Sequence, residues 1–369
     1  MTNKTLYFPN LDASRFFAFL IVILAHCFVS SDETIKTSEL FLSVFNWGKL
    51  GILGLDYFFV LSSFLISWNI LSEKRNTGEF NIAKFLMRRT LRIWPLYFVI
   101  LSLGYGYSFF FSGINSTETL PELYHFLFFI INFYVIDNGS NFLFFLVFLW
   151  SISIEEQFYL FWAILIKFFK INLKWLSITL IVISIIFRFF NMNDNTTLYF
   201  HTLSTLGNFG VGGLIAYISF NKTFFYTLIR HIKKEISVII FIILLVSILF
   251  YPWLIEFQYF KLFSKLYYSL LFGYYIMEQS FAKNKVMNPS KNKFITYIGK
   301  ISYGLYCYHG VVITLLIKAL GLLKFQETYW HAFLIYPVFI AVFTIAISHL
   351  SYRYFESYFL RLKTKKFTS

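Results

Sequence analysis

The chain has 369 residues, of which 58% are hydrophobic and only 14% are charged, whereas soluble domains are about a quarter charged. A soluble core of this length cannot bury so many apolar side chains without large exposed apolar patches, so the composition excludes an ordinary soluble protein. The net charge of +14 does not indicate a nucleic-acid partner. Lys and Arg lie mainly in short clusters between apolar runs, as in the cytoplasmic loops of membrane proteins.

Apolar runs of about 20 residues, the length that crosses ~30 Å of hydrocarbon, recur along the chain. They predict an all-α fold, a polytopic membrane helix bundle of about ten transmembrane helices, because a β-barrel would show alternating segments of about ten residues. The predicted spans are residues 11–30, 50–71, 93–112, 143–166, 175–190, 199–219, 236–254, 263–281, 297–322 and 331–354.

The distribution of positive charge predicts the sidedness of these spans. The loop 72–89 is the most basic and should face the cytoplasm. A further apolar stretch, 124–136, is short, and whether it crosses decides the side of everything after it. If it does not cross, all the later basic clusters are cytoplasmic, namely 167–174, 230–234, 283–293 and 361–366. We therefore predict that 124–136 is interfacial or re-entrant and that both termini are cytoplasmic.

The first span carries two ionisable residues, Arg15 and His26, and this makes a cleaved signal peptide a poor interpretation. They are eleven residues apart, which places them on one helix face roughly 16 Å apart along the axis, with His26 near mid-membrane. Ionisable groups at that depth are costly and usually face a polar cavity or a partner. A structural interpretation is also open: a neutral His26 in a helix contact, and Arg15 as an anchor or paired with Asp12.

The segment "RRTLRIWP" (88–95) projects Arg88, Arg89 and Arg92 from one helix face beside the membrane. Guanidinium groups make bidentate contacts with phosphate oxygens and stay charged, so this triad suits a soluble, polyphosphorylated metabolite. An anchor for anionic lipids is the alternative.

Two later spans add polar groups to an otherwise apolar interior. In "LWSISIEEQFYLFW" (149–162) the adjacent Glu155 and Glu156 point about 100° apart, so they cannot serve one site equally. The other polar candidates are Ser151, Tyr303, Tyr306 and His309. Structural alternatives stay open, because tyrosine is common at membrane interfaces and the glutamates could lie at the end of a span. Several polar spans that converge on one cavity are typical of an enzyme or a transporter. Cys27 and Cys307 have no metal-ligand spacing, and no metal is expected.

Five motifs occur in a fixed order: Arg15-x10-His26, "GLDYFFVLSSFLIS" (54–67), "RTLRIWPLY" (89–97), "WSISIEEQFYL" (150–160) and "SYGLYCYH" (302–309). Each is weak alone, but the ordered set resembles the membrane-bound acyltransferase family 3 from residue 11 to about residue 310. The stretch "SYRYFESYF" (351–359) resembles the end of that family. We expect one integral membrane domain over 1–369, with a cytoplasmic tail at about 356–369 and no appended esterase-like domain.

The resemblance implies a multi-pass O-acyltransferase of the bacterial cytoplasmic membrane. It would move an acyl group, with acetyl favoured over succinyl, from acyl-CoA to a hydroxyl of a cell-surface or exported glycan or a lipid-linked glycan. The family's functional positions fall on His26, Arg15 and Glu155 for catalysis, and on Arg89 and Arg92 for the donor.

Arg88 and Lys84 are further donor candidates, and the acceptor side would be lined by Ser151, Tyr303, Tyr306 and His309. His26 would act as a base or as an acyl carrier, because imidazole exchanges protons near neutral pH.

The sequence departs from the family pattern at three places, which affect the choice of acceptor. Ser63 replaces a usual glycine, no Arg-x-Asp precedes the glycines around Gly207, and Ser357 and Tyr358 follow Glu356 where Glu-x-Pro is usual. Two other functions remain open, a non-enzymatic transporter or flippase of a glycan or lipid-linked intermediate, and a non-catalytic partner in glycan assembly.

Overall fold

A computed structural model describes residues 7–111, 120–168, 172–323 and 325–367, and the regular elements of this part of the chain are all helices, with no strand. The all-α prediction is confirmed. In chain order the α-helices are α1 (Pro9–His26), α2 (Glu33–Lys36), α3 (Glu39–Trp47), α4 (Gly51–Thr77), α5 (Ile82–Phe111), α6 (Leu123–Leu127), α7 (Ile131–Asn138), α8 (Phe144–Val147), α9 (Leu149–Phe168), α10 (Leu173–Phe190), α11 (Asn195–Phe200), α12 (Thr202–Phe220), α13 (Phe224–Arg230), α14 (Lys234–Leu254), α15 (Gln258–Phe281), α16 (Lys293–Lys300), α17 (Ser302–Leu323), α18 (Tyr336–Ser351) and α19 (Ser357–Phe367).

Irregular turns join or interrupt some of these helices. Short 3₁₀ turns occupy Gly48–Leu50 and Pro289–Lys291. Two π-helical turns, His331–Ile335 and Tyr352–Glu356, flank α18. As a result, the chain from His331 to Lys363 forms one nearly continuous helical segment.

Eight helical segments of the described chain are long and apolar enough to cross a membrane. They are Glu39–Thr77, Ile82–Phe110, Phe144–Phe168, Leu173–Phe190, Asn195–Phe220, Lys234–Leu254, Ser302–Leu323 and His331–Lys363. Each coincides with one predicted span, so the protein is a multi-pass membrane protein. The other two predicted spans, 11–30 and 263–281, fall on α1 and α15, which are not among these eight segments. The total of ten and the cytoplasmic termini stay predictions.

The first helix is shorter than predicted, because α1 ends at His26 and residues 27–30 are not helical. His26 is therefore the last residue of α1 and not an interior one. The reason is tertiary: Ser30 donates a hydrogen bond to the Glu327 carboxylate at 2.6 Å, and the Ser31 amide donates to the same carboxylate at 2.9 Å. A local sequence pattern cannot predict this contact, because Glu327 is almost 300 residues away from Ser30.

The stretch 124–136 does not form a spanning helix. It forms α6 and α7, which are separated by a break where Phe129 has a left-handed φ of 54°. The eight residues of α7 extend only about 12 Å, far less than the hydrocarbon thickness. The Tyr97 hydroxyl donates to the Phe126 carbonyl at 2.9 Å, and Gln157 donates to the Phe129 carbonyl at 2.6 Å. These bonds satisfy exposed carbonyls of the break, as irregular backbone at membrane depth requires.

The chain forms two compact units. The first contains the described residues up to Val22, Ile52–Asn81 and the described residues of Phe161–Lys300. In it α12 packs against α10 and α15. A Cβ atom on Gly212 would lie 2.3 Å from the Val60 carbonyl oxygen and 2.6 Å from the Ser63 Cβ, so only glycine permits this contact with α4. Ser63 donates to the Phe209 carbonyl at 2.6 Å. The serine that departs from the family pattern thus packs directly on the glycine-rich helix.

A buried polar network joins the helices of this first unit. The Asp56 carboxylate accepts hydrogen bonds from Lys265 at 3.0 Å and from Asn208 at 2.5 Å. Arg188 donates to the Leu262 carbonyl at 2.9 Å and to the Ser204 hydroxyl at 2.8 Å. All five polar side chains are almost fully buried, and each has a partner, as polar groups inside an apolar bundle require.

The second unit contains Ile23–Gly51, the described residues of Ile82–Leu160 and the described residues of Ile301–Ser369. Its helices α5, α8 and α18 pack against α17, and α19 packs against α5. A Cβ on Gly104 of α5 would lie 2.6 Å from the Leu146 side chain, which shows how closely α5 approaches α8. The predicted site residues other than Arg15 all belong to this unit.

Candidate functional site

Two histidine rings from distant parts of the sequence meet in the second unit. His26 ends α1 and His309 lies in α17, and their ring centroids are 5.5 Å apart. The Phe148 ring lies 4.9 Å from His26 and 4.5 Å from His309, and Phe144 lies 6.1 Å from His26. His309 is fully buried. The structure thus brings the two predicted histidines together, and their role in a site stays a prediction. The position of Phe148 beside both rings was not predicted.

Small residues allow the elements around the histidines to approach. A Cβ on Gly310 would lie 2.6 Å from the Phe148 ring, and a Cβ on Gly51 would lie 2.8 Å from the Ala25 Cβ and 3.7 Å from the His26 ring. Both contacts need glycine, because carbon atoms in ordinary contact are about 3.5 Å apart. The positions of Phe148 and His26 therefore depend on glycine at the neighbouring positions 310 and 51.

Hydrogen bonds fix the His309 ring. Its Nδ1 lies 2.5 Å from the Tyr306 carbonyl oxygen. The Tyr306 hydroxyl lies 2.6 Å from the Ser151 hydroxyl and donates to the Phe148 carbonyl at 3.0 Å. The structure thus brings Ser151, Tyr306 and His309 together and links them to the backbone of Phe148.

Arg15 lies in the first unit, where its guanidinium pairs with the Asp12 carboxylate at 2.5 Å. This is the local pair that the spacing of three residues offered as an alternative. The catalytic role of Arg15 stays a prediction.

The two adjacent glutamates have separate partners, as their angular separation predicts. Glu155 accepts a hydrogen bond from Tyr159 of its own helix. Glu156 accepts from the Trp94 indole at 3.0 Å, and its other carboxylate oxygen is buried without a hydrogen-bond partner in the described part of the chain. Sequence reasoning gave Glu156 no role, although its position beside a motif glutamate was a signal.

The arginine cluster occupies the first third of α5. The Arg89 guanidinium lies 5.8 Å from the Phe85 ring centroid and 5.7 Å from the Tyr159 ring centroid. Its Nε is buried and has no hydrogen-bond partner among the residues that the structure describes. Arg88 and Arg92 are half-buried on the same helix, and Lys84 is exposed. Aromatic faces pack against the Arg89 cation, and its Nε is a donor that an anion could use.

Tyr303, which is expected to line the acceptor side, contacts the backbone of α5. Its hydroxyl donates to the Ile93 carbonyl of α5 at 2.7 Å, between Arg92 and Trp94. The bond lies just before Pro95, the proline inside α5. In this structure Tyr303 joins α17 to the arginine helix.

Outside the spans, Glu327 holds the chain that follows His26 through the bonds to Ser30 and Ser31. This carboxylate is 6% exposed. The neighbouring Phe333 ring lies 6.1 Å from both Phe28 and Phe41. Within the described residues no group of three His, Cys, Asp or Glu side chains is arranged to hold a metal ion.

Comparisons with known proteins agree with the motifs. The family model of the acyltransferase 3 group, described as an acyltransferase domain, matches residues 8–353. The peptidoglycan O-acetyltransferase OatA of Listeria monocytogenes is 26% identical over 371 residues, which cover 95% of this chain and 55% of the relative. The O-acetyltransferase OatA of Staphylococcus aureus strain NCTC 8325 is 26% identical over 381 residues, 95% of this chain and 57% of the relative.

The chain therefore spans little more than half the length of these curated relatives. No solved structure matches the chain.

Proposed function

Because the chain belongs to the acyltransferase 3 family, we propose that it is a membrane O-acyltransferase that moves an acyl group from acyl-CoA to a hydroxyl group of a glycan. The observation that carries the proposal is the meeting of His26 and His309, 5.5 Å apart, on helices that each contribute a family motif. A structural histidine contact would not require the arginine cluster of α5 in the same unit.

The donor would bind at α5. The anionic phosphates of acyl-CoA match the half-buried Arg88, Arg89 and Arg92, and the buried Nε of Arg89 offers a donor directed at such a group. The long pantetheine arm would then bring the thioester to His26. Acetyl is the favoured acyl group, since the relatives are named as O-acetyltransferases.

His26 would act on the thioester in one of two ways. As a base, it would take the proton of the acceptor hydroxyl while that oxygen attacks the thioester carbon. As a nucleophile, it would take the acyl group and release CoA, and then pass the acyl group to the acceptor. Both routes need an imidazole near neutral pH, where its ordinary pKa of about 6.5 gives access to both protonation states.

The proposed acceptor is an exported or cell-surface glycan, or its lipid-linked precursor. The name of the Listeria relative specifies peptidoglycan, which makes a peptidoglycan glycan the first acceptor to test. We place the protein in the bacterial cytoplasmic membrane, where CoA is available on one side and surface glycans on the other. Transfer at the end of α1 would then move only the acyl group across the bilayer.

The test uses purified protein in nanodiscs with radiolabelled acetyl-CoA and glycan fragments from peptidoglycan. We expect His26→Ala to abolish CoA release and acyl transfer while the protein remains folded and membrane-inserted. The Arg89→Ala/Arg92→Ala variant should weaken CoA binding by tenfold or more, since each charge-assisted hydrogen bond contributes about 1.5–3 kcal/mol.

The control is Arg230→Ala, which removes an exposed arginine outside the α5 cluster. The Arg230 guanidinium donates to the hydroxyl of Tyr226, four residues earlier, at 2.6 Å. It should bind CoA like the wild type. A wild type that neither binds nor turns over acyl-CoA would overturn the proposal in favour of a transporter, whose polar residues form a permeation path.

A further inference from the structure

The environment of His309 determines which of its nitrogens can accept a proton. Its Nδ1 lies 2.5 Å from the Tyr306 carbonyl oxygen, and a carbonyl oxygen can only accept a hydrogen bond. Nδ1 therefore carries the hydrogen, and in the neutral ring Nε2 keeps its lone pair. The tautomer is set by a backbone atom of the same helix, so it does not depend on the substrate.

The ring is also held in orientation. Tyr306 supplies the carbonyl, and its side-chain hydroxyl is bonded to Ser151 and to the Phe148 carbonyl. The Phe148 ring packs 4.5 Å from His309 and 4.9 Å from His26. A basic nitrogen with a fixed tautomer and a fixed ring thus stands beside the histidine of the R-x10-H motif. A histidine that only filled space would not need this arrangement.

The chemistry of the acyl-carrier route calls for a second base. Once a His26 nitrogen is bonded to the acyl carbon, His26 cannot take the proton of the acceptor hydroxyl. We infer that His309 is a second catalytic histidine, which deprotonates the acceptor hydroxyl while His26 carries the acyl group. The inference deepens the proposed function and rests on it.

The two steps balance. In the first, a His26 nitrogen attacks the thioester carbon, the carbon–sulfur bond breaks, and the proton displaced from the imidazole leaves on CoA as its thiol. In the second, the acceptor oxygen attacks the acyl carbon, and the hydroxyl proton passes to Nε2 of His309. The bond between the acyl carbon and His26 breaks, and the proton returns to His26. The products are the ester and two neutral histidines.

The two half-reactions can be measured separately. Exchange of labelled CoA with acetyl-CoA reports the first step alone, and it needs no acceptor. Delivery of the acetyl group to peptidoglycan glycan fragments or to water reports the second. The variant is His309→Asn, whose amide nitrogen can keep the bond to the Tyr306 carbonyl while the basic Nε2 is lost.

We expect His309→Asn to keep CoA exchange within about threefold of the wild type and to lose about a hundredfold or more in acetyl delivery, the usual contribution of a general base. His26→Ala should lose both reactions. The control is Thr314→Val on the same helix, a buried residue that donates to the Gly310 carbonyl at 2.9 Å and should leave both unchanged.

Three outcomes overturn the inference. Delivery by His309→Asn within threefold of the wild type would mean that no second base is needed. Equal losses of exchange and delivery would assign His309 a structural role. Delivery by the wild type without any CoA exchange would mean direct transfer with His26 as the base. A wild type inactive in both assays would instead remove the proposed function itself, and the inference with it.

Discussion

The close contact between Gly310 and the Phe148 ring predicts the effect of adding one methyl group in Gly310→Ala. In Gly310→Ala the new Cβ would lie 2.6 and 2.7 Å from two atoms of the Phe148 ring and 3.0 Å from the Phe145 Cα. Because an ordinary carbon–carbon contact is about 3.5 Å, the ring must retreat by about 0.9 Å. It cannot do so without changing its contacts with His26 and His309, which lie 4.9 and 4.5 Å from its centroid.

Two magnitudes follow from this displacement. Overpacking of a close-packed site costs about 1–3 kcal/mol, only part of which the better helix propensity of alanine offsets. Misplacement of reacting groups by about 1 Å costs about a hundredfold in rate. We therefore expect Gly310→Ala to lower the thermal unfolding midpoint in nanodiscs and to reduce acetyl delivery about a hundredfold.

The same helix supplies the matched control. Gly321 also lies in α17, and a Cβ there would meet no atom within 4 Å. Gly321→Ala should therefore keep full activity and lose no stability. Acetyl transfer by Gly310→Ala within threefold of Gly321→Ala would refute the reasoning that Phe148 positions the two histidines.

Three further changes test other contacts. Lys265→Met leaves the buried Asp56 carboxylate without its ion-pair partner and should destabilise the protein by about 3–5 kcal/mol. The double variant with Asp56→Asn should recover part of the loss in the thermal unfolding midpoint, and no recovery would argue against the pair. Glu327→Ala should speed amide hydrogen exchange of residues 27–38, which its carboxylate holds through Ser30 and Ser31; unchanged exchange would contradict this. Tyr303→Phe should cost only about 1 kcal/mol of stability and keep activity within threefold, because the Tyr303 hydroxyl donates to a backbone carbonyl. A hundredfold loss in kcat would instead indicate that this hydroxyl contacts the substrate.

Local hydrophobicity was sufficient to predict the positions of most membrane segments. Eight of the predicted spans coincide with helices of suitable length and composition, because the pattern depends only on neighbouring residues. The end of α1 was missed because Glu327 and Ser30 determine it from opposite ends of the chain. Those two residues are 297 positions apart.

In the candidate site, too, local features could be predicted and tertiary contacts could not. His26 and Arg89 were singled out because their motifs are short and ordered, and Ser151, Tyr306 and His309 because polar residues are rare within apolar spans. The roles of these residues stay predictions. Phe148 could not be singled out among 51 phenylalanines. The partners of Glu155 and Tyr303 depend on side-chain direction and on helix packing, which spacing alone does not supply.

The number of residues in the π-helical turn Tyr352–Glu356 determines how the helix after it is rotated. Such a turn contains one residue more than an α-helical turn, so everything after it is rotated by about 100°. Here it brings the buried Glu356 carboxylate to the Ser351 hydroxyl at 3.1 Å and close to Gly304 of α17. A one-residue deletion in this turn would preserve composition and hydropathy, yet it would turn Glu356 or α19 towards a different neighbour. In chimaeras that exchange the last helix between relatives, the number of residues in this turn should therefore matter more than which amino acids they are.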